Sequence, residues 1–254
     1  MENRCLFSIV TVSYNCATQL ARTVESVLSQ NCMDWEYIII DGGSTDGSLD
    51  IINKYQNALS YWCSEPDGGI YQGMNKGIDH ARGEWIIFMN AGDVFAGQDV
   101  LRQMAFYIRQ NSCDIIYGDI LTIKDGVERL KQASAPCNKQ RMYFCHQAVF
   151  VQTCILKQMH FDIRFRMSAD FYFFKRCYKI GYKFLHVSLP VAIYDSNGIS
   201  NTQRTKGLYD NIRVIKELDK GWDRIRFLGK LYFVIFWINL RSFLKRKRSQ
   251  SSTR

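Results

Sequence analysis

The chain has 254 residues, 47% of them hydrophobic, with nine cysteines and a formal charge of +9. Its size suits one large domain with an appendage, and the odd cysteine count without any Cys-x-x-Cys pair suggests neither a zinc framework nor a disulfide scaffold. The excess charge is local, because Arg241, Lys245, Arg246, Lys247, Arg248 and Arg254 form a tail with no acid. The nearly balanced body argues against a polyanion groove and a nucleic-acid partner.

The start, MENRCLFSIVTV, lacks the parts of a secretory signal, so a reducing, intracellular setting is expected. FSIVTVS (7–13) is short, apolar and β-branched. YNCATQLARTVESVLSQ then places Leu20, Val24, Val27 and Leu28 at helical spacing. EYIIID (36–41) predicts a second buried strand, GGSTDGS a loop, and LDIINKYQ a second helix capped by Ser or Asp. LSYWCSE (59–65) predicts a third strand, IYQGMNKGIDHARG a helix ended by Gly83, and EWIIFMN a fourth strand. Such alternation implies a mostly parallel sheet, whose ligands sit beyond the carboxyl ends of its strands.

After residue 110 the pattern changes. DIIYGDILTI and the segment through Leu130 predict antiparallel strands, HQAVFVQTCILKQM strand or helix, SADFYFFKRCYKI a helix, and YKFLHVSLPVAIYD an extended segment. The expected division is a body of residues 1–221, in halves 1–110 and 111–221, and a tail of 222–254. In the tail, LYFVIFWI is too short to cross a bilayer, which takes roughly 20 apolar residues. With its aromatic anchors and basic flanks it predicts an amphipathic interfacial helix; the alternative is a terminal helix docked on the domain.

Several strand ends deliver an acid to a Gly-rich loop: Asp41 before GGSTDGS, Glu65 and Asp67 in SEPDGG, and Asp93 after Asn90, Ala91 and Gly92. Turn chemistry explains each singly, but the set suggests binding of a nucleotide diphosphate. Acids would repel phosphate unless a divalent cation intervened, and Asp93 is the natural ligand for Mg²⁺ or Mn²⁺. Neither a Walker A sequence nor G-x-G-x-x-G is present.

FSIVTVSYN, IIIDGGSTDGS, SEPDGGIYQGMNKGIDHARGEWIIFMNAGD and the later HQAVF and SADFYFF together resemble glycosyltransferase family 2, inverting enzymes with the A-type glycosyltransferase fold. The likeness is closest to small bacterial polysaccharide enzymes of the colanic-acid type, and is strongest over residues 6–95. It implies an α/β, Rossmann-like, mostly parallel sheet with helices on both faces. It further implies that Thr11, Val12, Tyr14 and Asn15 line the nucleotide, that Asp41 contacts the base with Ser44 nearby, and that Asp67, Gly69, Tyr71, Asn75 and Lys76 flank the diphosphate sugar. The family's metal-binding D-x-D corresponds to Asn90, Ala91, Gly92 and Asp93, with Asn90 in place of the first acid. Metal through Asp93 alone, or transfer without metal, are then the alternatives.

The family's catalytic base matches Asp170, which would take the proton from an acceptor hydroxyl. His146 falls near the sugar or phosphates in the resemblance; the alternative is a structural, hydrogen-bonded His. Lys76 as a solvated helix residue and Tyr71 as a packing aromatic are similar alternatives. The Q-x-x-R-W signature of processive synthases is absent, so a single transfer per encounter is expected. The resemblance thus implies a nucleotide-diphosphate sugar donor, UDP by preference, and a lipid-linked or saccharide acceptor at the cytoplasmic face of a membrane, in surface polysaccharide synthesis. A nucleotidyltransferase and a non-catalytic nucleotide- or anionic-lipid-binding protein are the other readings.

Overall fold

Seven residues without one exposed side chain make Phe7–Ser13 (β1) the axis of the molecule in the computed structural model, which describes residues 5–124, 127–137, 143–195 and 204–251. Trp35–Asp41 (β2) and Trp85–Phe88 (β4) flank β1 in parallel, and Tyr61–Ser64 (β3) adds in parallel to β2. Beyond β4 the sheet turns mixed. Val149–Gln152 (β8) pairs antiparallel with β4 and with Ile115–Lys124 (β6), and Val127–Lys131 (β7) forms an antiparallel pair on β6. Phe184–Asp195 (β9) runs parallel to β6 and carries the two-residue Val94–Phe95 (β5) at the far edge. The sheet order is β3-β2-β1-β4-β8-β6-β9-β5, with β7 beside β6.

Because side chains alternate along a strand, β1, β2 and β4 feed two cores. Val10, Val12, Ile38, Ile40, Ile86 and Phe88 face Ile70–His80 (α3), Thr153–Met159 (α5) and Ala169–Ile180 (α6). Phe7, Ile9, Tyr37, Ile39 and Ile87 face Ala17–Leu28 (α1), Ser48–Tyr55 (α2) and Val100–Gln110 (α4). α1 buries Leu20, Thr23, Val24 and Val27, the stripe its spacing predicts with one polar member added.

One boundary differs from expectation. α3 stops at His80, with Ala81 already extended, so Gly83 is not its cap. Gly83 is instead the contact where the returning chain crosses β1: a Cβ there would lie 2.6 Å from backbone atoms of Phe7 and Ser8. HQAVFVQTCILKQM resolves into a 3-10 turn at His146–Ala148, then β8, then α5.

At the C-terminus, Arg204–Leu218 (α7) leads into Gly221–Ser251 (α8), joined to the body by a buried charge cluster. Lys175 Nζ on α6, wholly inaccessible, lies 2.8 Å from Asp219 Oδ2, and Lys179 Nζ lies 2.9 Å from Asp219 Oδ1. Phe171 and Phe227 close over the Lys175 ammonium. Removing one partner leaves the other charge buried, so Asp219→Ala is expected to lower unfolding free energy by about 3–5 kcal/mol in urea melts. α8 docks by one stripe, Phe227, Leu231 and Ile235, all buried. Each such burial contributes about 1.5–3 kcal/mol. The docked alternative for the tail is therefore what the body-facing stripe does. Its other side exposes Trp222, Ile225, Phe233, Phe236 and Trp237. Of Lys245, Arg246, Lys247 and Arg248 only the helical backbone is described, and Arg254 lies outside the described residues. Among the described residues no helix is long and apolar enough to cross a membrane.

Candidate active site

Strand register assembles the rim. Ser13 ends level with Asp41, and Asp41 level with Ser64, so three neighbouring strands finish on polar side chains. Asp41 is completely buried and its carboxylate is fully engaged. Oδ1 accepts from Ser13 Oγ (2.9 Å) and Ser44 Oγ (2.6 Å), and Oδ2 accepts from Ser64 Oγ (2.7 Å) and the amides of Gly43 (3.1 Å) and Ser44 (2.8 Å). Burial would raise its pKa, but these donors, Ser44 foremost, hold it below the usual carboxylate value. Asp41 thus organises the GGSTDGS loop from the end of β2.

That loop is tied across to the residues after β1. Ser44 Oγ accepts from Asn15 N (2.8 Å), and Asn15 Oδ1 accepts from Thr45 N (2.9 Å). Asn15 takes the left-handed φ of 47°, which Asn tolerates better than most residues, and neighbouring Tyr14 is 65% exposed, open to stack on a planar ligand. Asp46 accepts from Ala17 N (2.9 Å), fixing the entry to α1. Thr11 and Val12, expected to line a nucleotide, are buried beneath this rim. Thr11 Oγ1 bonds Tyr37 Oη and the Met89 carbonyl, and Val12 packs in the core. Alternation sends the two to opposite faces of β1, and both are buried because helices cover the sheet on each side.

Asp67 and Gly69 form the entry to α3, with Asp67 Oδ1 accepting from Gly69 N (2.9 Å). Lys76 pairs with Glu65 at 2.8 Å beside the β3 end. Asn75 is spent elsewhere: its Nδ2 donates to the Phe161 carbonyl (2.8 Å) and its Oδ1 accepts from Phe161 N (2.9 Å). This clasp seats the Phe161 ring among Tyr71, Phe88 and Phe173, with centroids 5.6, 5.5 and 5.3 Å away. The aromatic cluster brings α6 up to the strand ends. Asn75 thus braces α3 against the approach to α6.

α6 presents Asp170 in its first turn, where the helix N-terminus favours a negative charge. Asp170 Oδ1 accepts from Tyr71 Oη (2.9 Å) and from Phe171 N (2.8 Å), and Oδ2 lies 3.5 Å from His146 Nδ1. His146 Nε2 is in turn 3.1 Å from Asn90 Nδ2. The tight turn after β4 follows, with Gly92 at φ 106° donating to Thr23 Oγ1 (2.9 Å), which itself donates to the Asp93 carbonyl (2.8 Å). The Asp93 carboxylate accepts from Gln147 Nε2 at 3.4 Å. Tyr71, Asp170, His146 and Asn90 thus form one chain of contacts, and Asp93 joins it through Gln147, the residue after His146. Ala91, half-buried, sits in the same turn.

Charge in this chain is cooperative. Burial would raise the Asp170 pKa, but His146, then Tyr71 and the Phe171 amide, hold it below the usual carboxylate range. Burial would lower the His146 pKa, yet Asp170, with Asp93 adding, holds it above the ordinary imidazole value. Tyr71 is pushed well up by burial and by Asp170, so its hydroxyl remains a donor. The arrangement holds an ionised carboxylate beside a loop bearing a second carboxylate.

Among the described residues, no three His, Cys, Asp or Glu side chains come together as a protein-only metal cage. Mg²⁺ and Mn²⁺ do not require one, since they take one or two carboxylates and complete their shell with phosphate and water. Asp93, on a turn beside the buried and unpartnered Oδ1 of Asn90, fits that manner of binding.

Two supports escaped the sequence reading. Thr23 was visible only as a polar residue in the apolar stripe of α1, and Gln147 only as the neighbour of His146.

Acids thus gather at the carboxyl ends of a parallel sheet, faced by a carboxylate on a helix of the second half. The family model for glycosyl transferase family 2 matches residues 8–175. A Mycobacterium tuberculosis PGL/p-HBAD biosynthesis glycosyltransferase is 31% identical over 210 residues, 78% of this chain and 80% of that protein. Among solved structures, Staphylococcus aureus TarS (residues 1–349, with UDP) superposes with a TM-score of 0.65 at 18% identity, over 85% of this chain and 67% of that one. The Pyrobaculum calidifontis mannosyltransferase PcManGT, with GDP-Man and Mn²⁺, gives 0.67 at 14% identity, over 92% of this chain and 70% of that one. The chain belongs to glycosyltransferase family 2.

Proposed function

We propose that the protein transfers one sugar per encounter from a nucleotide-diphosphate sugar, UDP-linked by preference, to a hydroxyl of a lipid-linked or saccharide acceptor in surface polysaccharide synthesis, with inversion. The observation that carries this reading is the Tyr71–Asp170–His146–Asn90 chain, which sets an ionised carboxylate beside the Asp93 loop. The acceptor oxygen attacks the anomeric carbon, its proton passes to Asp170 Oδ2, and the bond to the diphosphate breaks with its electron pair leaving on phosphate oxygen. Attack and departure on opposite faces invert the centre in one displacement. Asp93 would hold the cation through the diphosphate, and a divalent cation, when bound, supplies positive charge to the leaving group. Solved relatives with UDP, and with GDP-Man and Mn²⁺, support a nucleotide-sugar donor and a divalent cation.

The donor screen that tests this reading uses thermal stabilisation by nucleotide sugars with and without Mn²⁺, followed by nucleotide release in the presence of acceptor. A ligand bound only by the native fold raises its melting temperature. Binding without turnover under any donor and acceptor would favour a non-catalytic binding protein.

The proposed place of work is the inner face of the bacterial cytoplasmic membrane, reached through the exposed side of α8. Trp222 at 82% exposure and Phe233 at 62% share that helix with Arg224, Arg226, Lys230 and Arg241, a combination suited to an anionic lipid surface. Removing residues 222–254 would also strip Phe227, Leu231 and Ile235 from the core, confounding localisation with stability. Replacing Trp222, Phe233, Phe236 and Trp237 by Ser is the cleaner change. It is expected to abolish co-sedimentation with phosphatidylglycerol vesicles while the melting temperature stays within a few degrees. Unchanged co-sedimentation would remove the membrane half of the proposal.

A further inference from the structure

Asn90 stands where the D-x-D pattern has an acid, and its two ends face different tasks. Nδ2 meets His146 Nε2 at 3.1 Å, whereas Oδ1 is buried with no hydrogen-bond partner. The orientation follows from the groups behind it. His146 Nδ1 faces Asp170 Oδ2, an acceptor, so Nδ1 carries the ring proton. In the neutral ring Nε2 is then an acceptor, and of the two ends of an amide only the NH₂ can serve it. A carboxylate at the same place would present acceptors alone and would require a second proton on the imidazole. The other ionisable groups facing this pair are Asp93, across from the ring, Tyr71, on Asp170 Oδ1, and the neighbouring Cys145.

Resting on the transfer reading above, we propose that Asn90 is a positioning residue for the base. It holds His146 as the Nδ1–H tautomer that keeps Asp170 aimed, and leaves its own Oδ1 as an acceptor for a hydroxyl or water arriving with the donor. The place of the first acid then serves the proton acceptor, and the cation is left to Asp93. The 3.5 Å separation of His146 and Asp170 suits a contact that tightens when the site fills, as catalytic hydrogen bonds in empty sites commonly do.

The test combines ¹⁵N imidazole spectra of the full-length protein with kinetics of Asn90→Asp, Asn90→Ser and His146→Gln. Across a pH series, once the ¹⁵N shifts show the His146 ring to be neutral, the wild-type spectrum is expected to show protonated Nδ1 and bare Nε2. Asn90→Asp is expected to protonate both nitrogens and to lower kcat about tenfold or more with the donor KM within about threefold. Asn90→Ser keeps a donor for Nε2, so it should retain the wild-type tautomer and recover most of kcat. Asn90→Asp together with His146→Gln should lose no more than His146→Gln alone. A wild-type proton on Nε2, or an Asn90→Asp enzyme with undiminished kcat and tighter Mn²⁺ binding, would overturn the assignment and make position 90 a cation ligand. Because the spectra need no turnover, they judge the tautomer even if no nucleotide sugar is a substrate, an outcome that would sink the transfer reading instead.

Discussion

Asp170→Asn lowers kcat by about 10²–10⁴-fold, the range expected for loss of a general base, while the donor still stabilises the fold as in wild type. The substitution keeps the shape of the side chain, so Tyr71 retains an acceptor and α6 its first turn. What goes is the charge and a lone pair on the oxygen that meets His146. The amide also sets an NH₂ against His146 Nδ1, which favours the opposite tautomer. Nucleotide release at saturating donor and acceptor measures the loss, and wild-type turnover in this variant would remove Asp170 from the mechanism.

The same variant reshapes the dependence of stability on pH. The Asp170 pKa is depressed from 3.8, so its contribution is present above that value and is lost as pH falls through the folded-state pKa. The His146 pKa is raised from 6.5, so its contribution is fully present below that value and is lost as pH rises through the folded-state pKa. Both operate together between about pH 4 and pH 6.5. Melting temperatures across that window should fall in Asp170→Asn relative to wild type, and the two profiles should converge on the acid side, where Asp170 takes up a proton.

The second large effect is on the donor. Asp93→Ala abolishes the increment that Mn²⁺ adds to thermal stabilisation by the nucleotide sugar and lowers kcat/KM by about 10²-fold or more, since the leaving group loses its counter-charge. The Thr23 bond to the Asp93 carbonyl survives the change, so the turn after β4 should hold. An undiminished Mn²⁺ increment would place the cation elsewhere, and an equal response with and without metal in the wild type would favour metal-independent transfer. Read with Asp170→Asn, the pair separates binding from proton transfer: one variant loses the donor, the other loses only the step that follows.

Local pattern made the first half of the molecule legible. The apolar runs ending at Ser13, Asp41 and Ser64, each followed by a helix of matching period, allow few solutions but a parallel sheet with acids at one edge. The end of α3 was misread because a glycine near a helix terminus has two explanations, and only the packing against β1 shows that Gly83 is there for close approach. The hydrogen-bond partners of Asp41 and Asn75 were hidden for a related reason. A polar residue in a loop or a helix looks alike whether it faces a ligand or a neighbouring backbone group, and only a count of its hydrogen-bond donors tells the two apart.

By itself the sequence determined the class of fold, the edge at which the chemistry gathers and the acids available there, because periodicity and turn chemistry are local properties of the chain. Tertiary structure alone decided which of those acids is already consumed by the protein, that Tyr71 and His146 grip Asp170, and that α8 lays one stripe on the core and bares the other. These depend on contacts between residues as far apart as 71 and 170, and no short-range pattern records which distant partner a side chain will meet.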